Sequence, residues 1–429
     1  MAEVIYRPAR VSGSVQIPPS KSAAHRALLC AALTGAPCTV APIDESADMY
    51  ATLSGVRAMG CAADFADGAV RIAPGKAPAG TAVVDCGESG STLRFLIPVF
   101  AARGVEAEFV GHGRLPERPI GVYTALLPQH GVQVETAGGL PLRIRGKLQS
   151  GEYRLPGDVS SQFITGLLFA LPLLEGDSEI VLTTPLESKG YIDLTLQVLR
   201  QFGVSVRETA RGWAVPGGQA YRAAACTVEG DWSQAAFFLS AAAVGGGPVA
   251  LHGLRPDSVQ GDRACIELWR RFGLAIRAEN GAYIAENPRA GEPFRGLRGM
   301  RIDARQIPDM VPALAVTAAF AAGETVICNA ARLRIKESDR LAAMETALSA
   351  IGADIRGTAD GLVIRGRPHL AGGRAEGCND HRVVMALAAA GCDCAVTVTD
   401  AQSIRKSYPG FFRDFRAIGG NADVVDMGE

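Results

Sequence analysis

Apolar positions recur along this chain in two interleaved series. In the first, a turn of small and polar residues runs into an apolar, helix-like stretch that stops at glycine. This happens six times, about every 70 residues. The copies read PPSKSAAHRALLCAALTG, GESGSTLRFLIPVFAARG, PGDVSSQFITGLLFALPLLEG, EGDWSQAAFFLSAAAVGG, PDMVPALAVTAAFAAG and EGCNDHRVVMALAAAG, ending at Gly35, Gly104, Gly176, Gly245, Gly323 and Gly391. In the second series, helix-like segments with apolar residues three to four apart end at Gly60, Gly131, Gly203, Gly273, Gly352 and Gly419. After each of these glycines except the last, apolar and polar residues alternate about a glycine-containing turn, as in GVQVETAGGLPLRIRG and GADIRGTADGLVIRG. That alternation predicts a β-hairpin. Short strand candidates (SVQIP, TAVVDC, EYRLPG, ACTVEG, MRIDA) precede the first helices. Each copy therefore reads as strand, helix, strand, helix and two strands.

The sixth copy runs out at GGNADVVDMGE, with room for one hairpin strand. The strand-like N-terminal stretch VIYRPARVSGSVQIP is expected to complete it, making one domain discontinuous. Single cores stop growing at roughly 250 to 300 residues, and the chain has 429. The prediction is an α/β protein (α+β by some schemes) of two domains, each of three βαβαββ units. Residues 1–19 plus 231–429 form the discontinuous domain, and residues 20–230 the inserted one.

Composition changes this picture little. Hydrophobic residues make up 48% and charged residues 20%, with a formal net charge of -1, which excludes a nucleic-acid-binding polyelectrolyte. The ten cysteines are scattered, with no C-x-x-C, so they indicate neither a disulfide framework nor a zinc site. MAEVIYRPAR lacks the apolar core of a signal peptide, and apolar runs such as residues 311–322 are too short to span a bilayer. The expectation is a cytoplasmic protein without an anchor, and a monomer, since each half is self-contained.

The chemistry is concentrated at the helix starts. A helix N-terminus presents unpaired N–H groups and the positive end of the macrodipole, so it receives phosphate or carboxylate. The first start carries Lys21, Ser22, His25 and Arg26, with Ser22 and Arg26 on one face. The second carries Gly90 and Arg94, the glycine allowing close approach of backbone to a ligand. The third offers the uncharged donors Ser160, Ser161 and Gln162. Leading edges of the second helices hold Arg118, Ser188 and Lys189, Lys336 and Arg340 (four apart, hence placed on one face), and Lys406; Arg382 opens the sixth first helix. A near-neutral chain that gathers cations in this way suits a small, multiply anionic ligand.

Two carboxylates stand among these cations, Asp309 in IPDMVPAL and Glu337 in IKESDR. Either could hold or move a proton. On position alone Asp309 reads equally as an N-cap, and Glu337 as one half of a surface ion pair with Arg340. Singly, Ser22, Ser160 and Ser161 read as caps, Arg118, Arg382 and Lys406 as solvated charges, and His381 as a structural partner of Asp380. Recurrence at equivalent places is what raises the set above its members.

PPSKSAAHRALLCAAL, GESGSTLRFL, RLPERPIG, GDVSSQFITGLL, SKGYIDLTL, PDMVPALAVTAAF, RIKESDRLAAM, NDHRVVMALA and RKSYPGFF together resemble the bacterial 5-enolpyruvylshikimate-3-phosphate synthases, in family order and over essentially the whole chain. The resemblance implies the inside-out α/β barrel of the enolpyruvyl transferases, with the ligand cleft between the two domains. It implies transfer of the enolpyruvyl group of phosphoenolpyruvate to the 5-hydroxyl of shikimate 3-phosphate, a step toward chorismate and aromatic amino acids. No metal or organic cofactor is required as the family runs it, and no nucleic acid or membrane is a partner.

By the same resemblance, Lys21, Ser22, Arg26, Ser160, Ser161, Gln162, Ser188, Asp309 and Lys336 bind shikimate 3-phosphate. Lys21, Gly90, Arg118, Gln162, Arg340, Arg382 and Lys406 bind phosphoenolpyruvate. Asp309 is matched to the base that takes the hydroxyl proton, and Glu337 and Lys21 to the proton-handling groups around C3. Many members read N-A-G-T-A where this chain has Glu88-Ser89-Gly90-Ser91-Thr92, so an acid replaces an asparagine. The sister transferase acting on UDP-N-acetylglucosamine uses a loop cysteine, and GHGRLPERP has none. A non-catalytic repeat scaffold would leave the cations at selected helix starts unexplained. A nucleotide-driven kinase is disfavoured by the absence of G-x-x-x-x-G-K-[ST].

Overall fold

The computed structural model describes residues 2–76 and 80–426. The chain divides into two units, one of Met1–Pro18 with Gly230–Glu429 and one of Pro19–Glu229. They are called here the discontinuous and the inserted unit.

Six first helices appear where small polar turns run into apolar stretches: α1 (Lys21–Leu33), α3 (Gly90–Ala102), α5 (Ser161–Ala170), α7 (Trp232–Gly245), α9 (Val311–Ala318) and α11 (His381–Ala390). The second series gives α2 (Ala47–Ala58), α4 (Gly121–Leu126), α6 (Lys189–Gln201), α8 (Cys265–Phe272), α10 (Arg340–Ala350) and α12 (Phe411–Ala417). The two series differ in burial. Every residue of α7, α9 and α11 is buried, whereas α6 buries only Ile192, Leu194, Thr195, Val198 and Leu199. A helix apolar all round belongs inside a core, and one with a single apolar stripe lies over it.

Among the described residues six four-stranded sheets accompany them, all of one topology. In the second sheet Ala82–Asp85 runs parallel to Ala107–Val110, which pairs antiparallel with Leu142–Gly146, the second arm of the hairpin begun by Val132–Thr136. The last sheet has the order Gly373–Ala375, Val396–Val398, Ala2–Arg7, Asn421–Asp426, so the first strand of the chain takes the place of a hairpin arm.

Strand assignment departs from expectation at two places. SVQIP was expected to belong with α1, but Val11–Gln16 pairs in parallel with Gly246–His252, which follows α7. ACTVEG, just before α7, gives Ala225–Thr227, which pairs in parallel with Cys38–Ala41 after α1. The strands at the two crossings are thus exchanged, and only Ala2–Arg7 of the N-terminal stretch completes the last copy. Alternation along a strand dictates which face is buried, while a parallel neighbour arrives through a crossover and need not be the adjacent segment.

Close packing of the first helices positions their ends. Gly166 in α5 lies so near α3 that a Cβ there would sit 2.3 Å from the Arg94 carbonyl oxygen and 2.3 Å from the Tyr123 hydroxyl. That hydroxyl is 2.8 Å from the carbonyls of both Arg94 and Phe163, bracing the two helices at their first turns. Each large apolar side chain fully buried in such a core contributes about 1.5–3 kcal/mol.

Candidate active site

In the inserted unit the starts of α1, α3 and α5 carry the predicted residues. Ser20, not Ser22, caps α1, accepting from Ala23 N at 3.3 Å. Lys21 Nζ lies 2.7 Å from Asp48 Oδ2 of α2. Arg26 is 2% exposed, and its hydrogen bonds go to neutral oxygens: Nε to Thr195 Oγ1 (2.8 Å), Nη1 to the Ser22 carbonyl (2.7 Å) and Nη2 to the Tyr191 carbonyl (3.1 Å). The guanidinium also lies over the Phe95 ring at 5.1 Å. Burial pulls its pKa down to about 10. A cation held by dipoles and a ring face favours an incoming anion.

Gly90 and Arg118 are brought into contact. A Cβ on Gly90 would lie 2.8–2.9 Å from the guanidinium of Arg118, so glycine is what lets Arg118 rest on the first turn of α3. Arg118 itself follows a 3₁₀ turn, Leu115–Glu117, and is 7% exposed. Arg94, in α3, donates to Gln162 Oε1 at 2.6 Å and to the Pro119 carbonyl at 2.9 Å, while Gln162 Nε2 reaches Ser91 Oγ at 2.9 Å. These bonds fix the Gln162 amide, with its oxygen toward Arg94. Ser160 caps α5 through Gln162 N at 3.3 Å, and Ser161 follows at the first helical position. Ser188 precedes α6 in the left-handed region (φ 56°), makes no cap and is 2% exposed. Lys189 is spent differently from the expectation of a ligand-facing cation: it pairs on the surface with Asp193 at 2.6 Å, one helical turn on.

In the discontinuous unit the predicted residues form one ionic cluster. Arg340 is 1% exposed and meets three carboxylates: Asp309 (Nη1–Oδ1, 3.2 Å), Glu337 (Nη2–Oε2, 2.8 Å) and Asp380 (Nε–Oδ2, 2.9 Å). Arg382 donates to Asp309 Oδ2 (3.0 Å), to the Asp309 carbonyl (3.0 Å) and to Ser233 Oγ (3.1 Å). Lys336 Nζ stands 3.9 Å from Asp309 Oδ1. Lys406 is buried and donates to the Asn379 carbonyl at 2.7 Å.

Several expectations change here. Lys336 and Arg340 do not share a helix face, because α10 begins at Arg340 behind an Asp339 cap and Lys336 is extended (φ -89°, ψ -156°). They converge through Asp309 instead. Asp309 is no N-cap: it sits in the 3₁₀ turn Pro308–Met310 before α9, with no side-chain cap bond. The Glu337–Arg340 pair exists but is not on the surface, since Arg340 is fully covered. Lys406 ends the 3₁₀ turn Ala401–Lys406 rather than starting a helix.

Electrostatics follow from this packing. Burial raises the Asp309 pKa, but Arg382, Lys336 and Arg340 together outweigh it and hold the carboxyl well below the usual carboxylate range. Burial pulls Lys336 down to about 8, against the opposing pull of Asp309 and Glu337. For Arg340 burial is outweighed by Asp380, Glu337 and Asp309, and the guanidinium is held more firmly protonated than usual. Asp380 is lowered because Arg340 more than offsets its burial.

Sequence reasoning passed over the groups that orient these residues. Asp380, read as a cap, does cap α11 through Arg382 N at 2.9 Å, and also accepts from Arg340 and from Ser338 Oγ at 2.9 Å, at 0% exposure. Ser233, Asp48 and Thr195 act likewise on Arg382, Lys21 and Arg26. The one available signal was Asp380 lying two residues before Arg382; Asp48 sits on the other helix of the same copy as Lys21, and Ser233 and Thr195 come from different copies from the arginines they hold.

Two clusters of largely buried cations, at or beside helix starts on six copies of a βαβαββ unit, match an enolpyruvyl-transferase architecture. The enolpyruvyl transferase NikO from Streptomyces tendae shares it (TM-score 0.78, 17% identity, 99% of each chain), which at that identity speaks for the fold alone. The EPSP synthase of Acinetobacter baumannii matches with a TM-score of 0.80 at 27% identity, over 99% of this chain and 100% of that one. The sequence profile of EPSP synthase (3-phosphoshikimate 1-carboxyvinyltransferase) matches residues 5–415. A 3-phosphoshikimate 1-carboxyvinyltransferase of Clostridium kluyveri is 44% identical over 437 aligned residues, and that of Clostridioides difficile 40% over 445, each covering 100% of both chains. The chain belongs to the EPSP synthase family.

Proposed function

We propose that this chain joins phosphoenolpyruvate to shikimate 3-phosphate through the two clusters described above. As a member of its family it moves a 1-carboxyvinyl group to 3-phosphoshikimate, giving 5-enolpyruvylshikimate 3-phosphate and inorganic phosphate. The observation that carries the residue roles is the clamping of Asp309 among Arg382, Arg340 and Lys336, an ionised acceptor surrounded by cations.

Lys21, Ser22, Arg26, Ser160, Ser161, Gln162, Ser188 and Lys336 hold shikimate 3-phosphate. Lys21, Gly90, Arg118, Gln162, Arg340, Arg382 and Lys406 hold phosphoenolpyruvate. C3 of phosphoenolpyruvate gains a proton from Glu337 or Lys21. The 5-hydroxyl oxygen bonds to C2 as its proton passes to Asp309, giving a tetrahedral intermediate. The C2–O bond to phosphate then breaks and C3 loses a proton, restoring the enol ether. In the unliganded cluster Asp309 is a weak base, because its cations favour the charged form. Anionic substrates draw off part of that attraction and raise its proton affinity when a base is needed. Cations fixed around the phosphate and carboxylate stabilise charge as it shifts in the transition state.

Among the described residues no helix is long and apolar enough to cross a membrane; the reading places the reaction in the cytoplasm. The chain works as a monomer, without nucleic acid or membrane partners.

The test is phosphate release from phosphoenolpyruvate with shikimate 3-phosphate and, separately, with UDP-N-acetylglucosamine. Turnover is expected with the first alone, and turnover only with the second overturns the reading. Asp309→Asn keeps the volume and is expected to lower kcat about 10²- to 10⁴-fold; a parental rate would remove the base role.

A further inference from the structure

A buried chain of side chains joins α1 to α3 inside the inserted unit. His25 Nδ1 lies 2.6 Å from Thr52 Oγ1 of α2, Thr52 Oγ1 lies 2.8 Å from Thr92 Oγ1 of α3, and the Thr92 hydroxyl donates to Ser89 Oγ at 2.8 Å. Ser89 is the cap of α3, accepting from Thr92 N at 3.2 Å. All four side chains are at most 3% exposed.

The chain has a direction. The Thr92 hydroxyl gives its one proton to Ser89, and the Thr52 hydroxyl shares its own between the Asp48 carbonyl, which can only accept, and Thr92 Oγ1, so neither has one left for His25 and the ring donates from Nδ1. His25 Nε2 is then a buried acceptor with no hydrogen-bond partner, and the His25 ring stands perpendicular to that of Phe95 with 6.5 Å between centroids. Burial, with Lys21 and Arg26 close by, lowers the His25 pKa well below the ordinary value, which keeps the ring neutral as this arrangement requires.

The two ends of this chain are the two substrate subsites of the proposed function, on which the inference rests. His25 is one turn from Lys21 and adjacent to Arg26. Ser89 immediately precedes Gly90, on which Arg118 rests. Asp48, which holds Lys21, is one turn before Thr52 on α2, and its backbone carbonyl also lies 3.2 Å from Thr52 Oγ1. We propose that His25 is a positioning residue whose Nδ1–H, through the hydroxyls of Thr52 and Thr92, ties the start of α1 to the cap of α3 and sets Lys21 against Gly90. It touches no substrate. Its effect is to keep the subsite for the phosphorylated acceptor in register with the one for the enolpyruvyl donor.

The test compares His25→Asn, whose side-chain amide can keep a donor near the Nδ1 position, with His25→Leu, which removes it, and with Thr52→Val, which breaks the chain one link on. In His25→Leu and Thr52→Val the KM for phosphoenolpyruvate is expected to rise about tenfold with kcat changed by about threefold or less. His25→Asn is expected within about twofold of the parent. Ring ¹⁵N shifts of the parent should report a neutral Nδ1–H tautomer. Two outcomes overturn the inference: equal damage in His25→Asn and His25→Leu, which would make ring volume the cause, or parental constants in both His25→Leu and Thr52→Val. If His25→Leu does not fold, Thr52→Val and the tautomer decide. Lys21→Ala separates this inference from the reading it rests on. Loss of activity there with parental constants in Thr52→Val refutes the coupling alone, and parental activity in Lys21→Ala removes Lys21 from the site and the inference with it.

Discussion

Arg26 of the inserted unit is buried against a threonine hydroxyl and two backbone carbonyls, whereas Arg340 of the discontinuous unit is buried against Asp309, Glu337 and Asp380. Both guanidiniums are almost fully covered, at 2% and 1% exposure, yet their proton affinities move apart. Burial without a counter-charge pulls Arg26 down to about 10, and three carboxylates push Arg340 the other way. The first arrangement leaves a cation whose counter-charge, under the proposed function, the substrate would supply. In the second, the arginine already has its counter-charges, so an anion reaching Arg340 must exchange with Asp309 or Glu337. Arg26 thus meets only neutral oxygens, while the charge of Arg340 is answered within its own cluster. In that cluster, carboxylates and cations stand close enough to shift one another's proton affinities.

Removing one partner from each cluster breaks this comparison most directly. Asp380→Ala leaves Arg340 buried with a charge missing opposite it, and is expected to destabilise the discontinuous unit by roughly 3–5 kcal/mol. Calorimetric melting measures this. An unshifted transition would show that water or the remaining carboxylates compensate. Arg26→Leu leaves only neutral acceptors behind, so the expected cost is about 1–3 kcal/mol. Its main effect is to raise the KM for shikimate 3-phosphate about tenfold or more, as befits the loss of charged hydrogen bonds. A larger stability loss than that of Asp380→Ala would reverse the contrast.

The smallest effect sharpens the comparison through pH. Lys336 titrates near 8 in the unliganded cluster, so it is charged below that pH and loses its charge above it. As kcat/KM reports the free enzyme, its basic limb is expected to bend near pH 8, falling as pH rises. In Lys336→Arg the limb should move beyond the accessible range, because a guanidinium stays protonated. A limb that persists unchanged in this variant would assign it to another group. Stability carries the opposite sign: the unfolded lysine binds its proton more tightly than the folded one, so the penalty of burying the charge is relieved as pH rises from about 8 toward the ordinary lysine value.

Much of this was legible beforehand, and the residues show why. The helices announce themselves because apolar periodicity and a terminal glycine are local signals, as in α1 ending before Gly35 and α6 ending before Gly203. Local signals do not choose partners between segments far apart in the chain. Val11–Gln16 and Ala225–Thr227 could each be recognised as strands, but not that they exchange sheets. Lys336 and Arg340 were placed together on a false premise, a shared helix face, and meet because both reach Asp309 from different backbone conformations.

The amino-acid sequence by itself determined the copied unit, its helix starts and the kinds of side chain placed on them, since periodicity, capping and composition act over a few residues. Only the tertiary structure decided which oxygen each cation meets. Arg26 finds Thr195, Lys21 finds Asp48, and Arg340 finds Asp380, pairs separated by 169, 27 and 40 residues. Whether a buried charge is answered by a dipole or by a carboxylate depends on distances of about 3 Å between elements far apart in the chain, often in different copies, and no pattern of neighbouring residues carries that information.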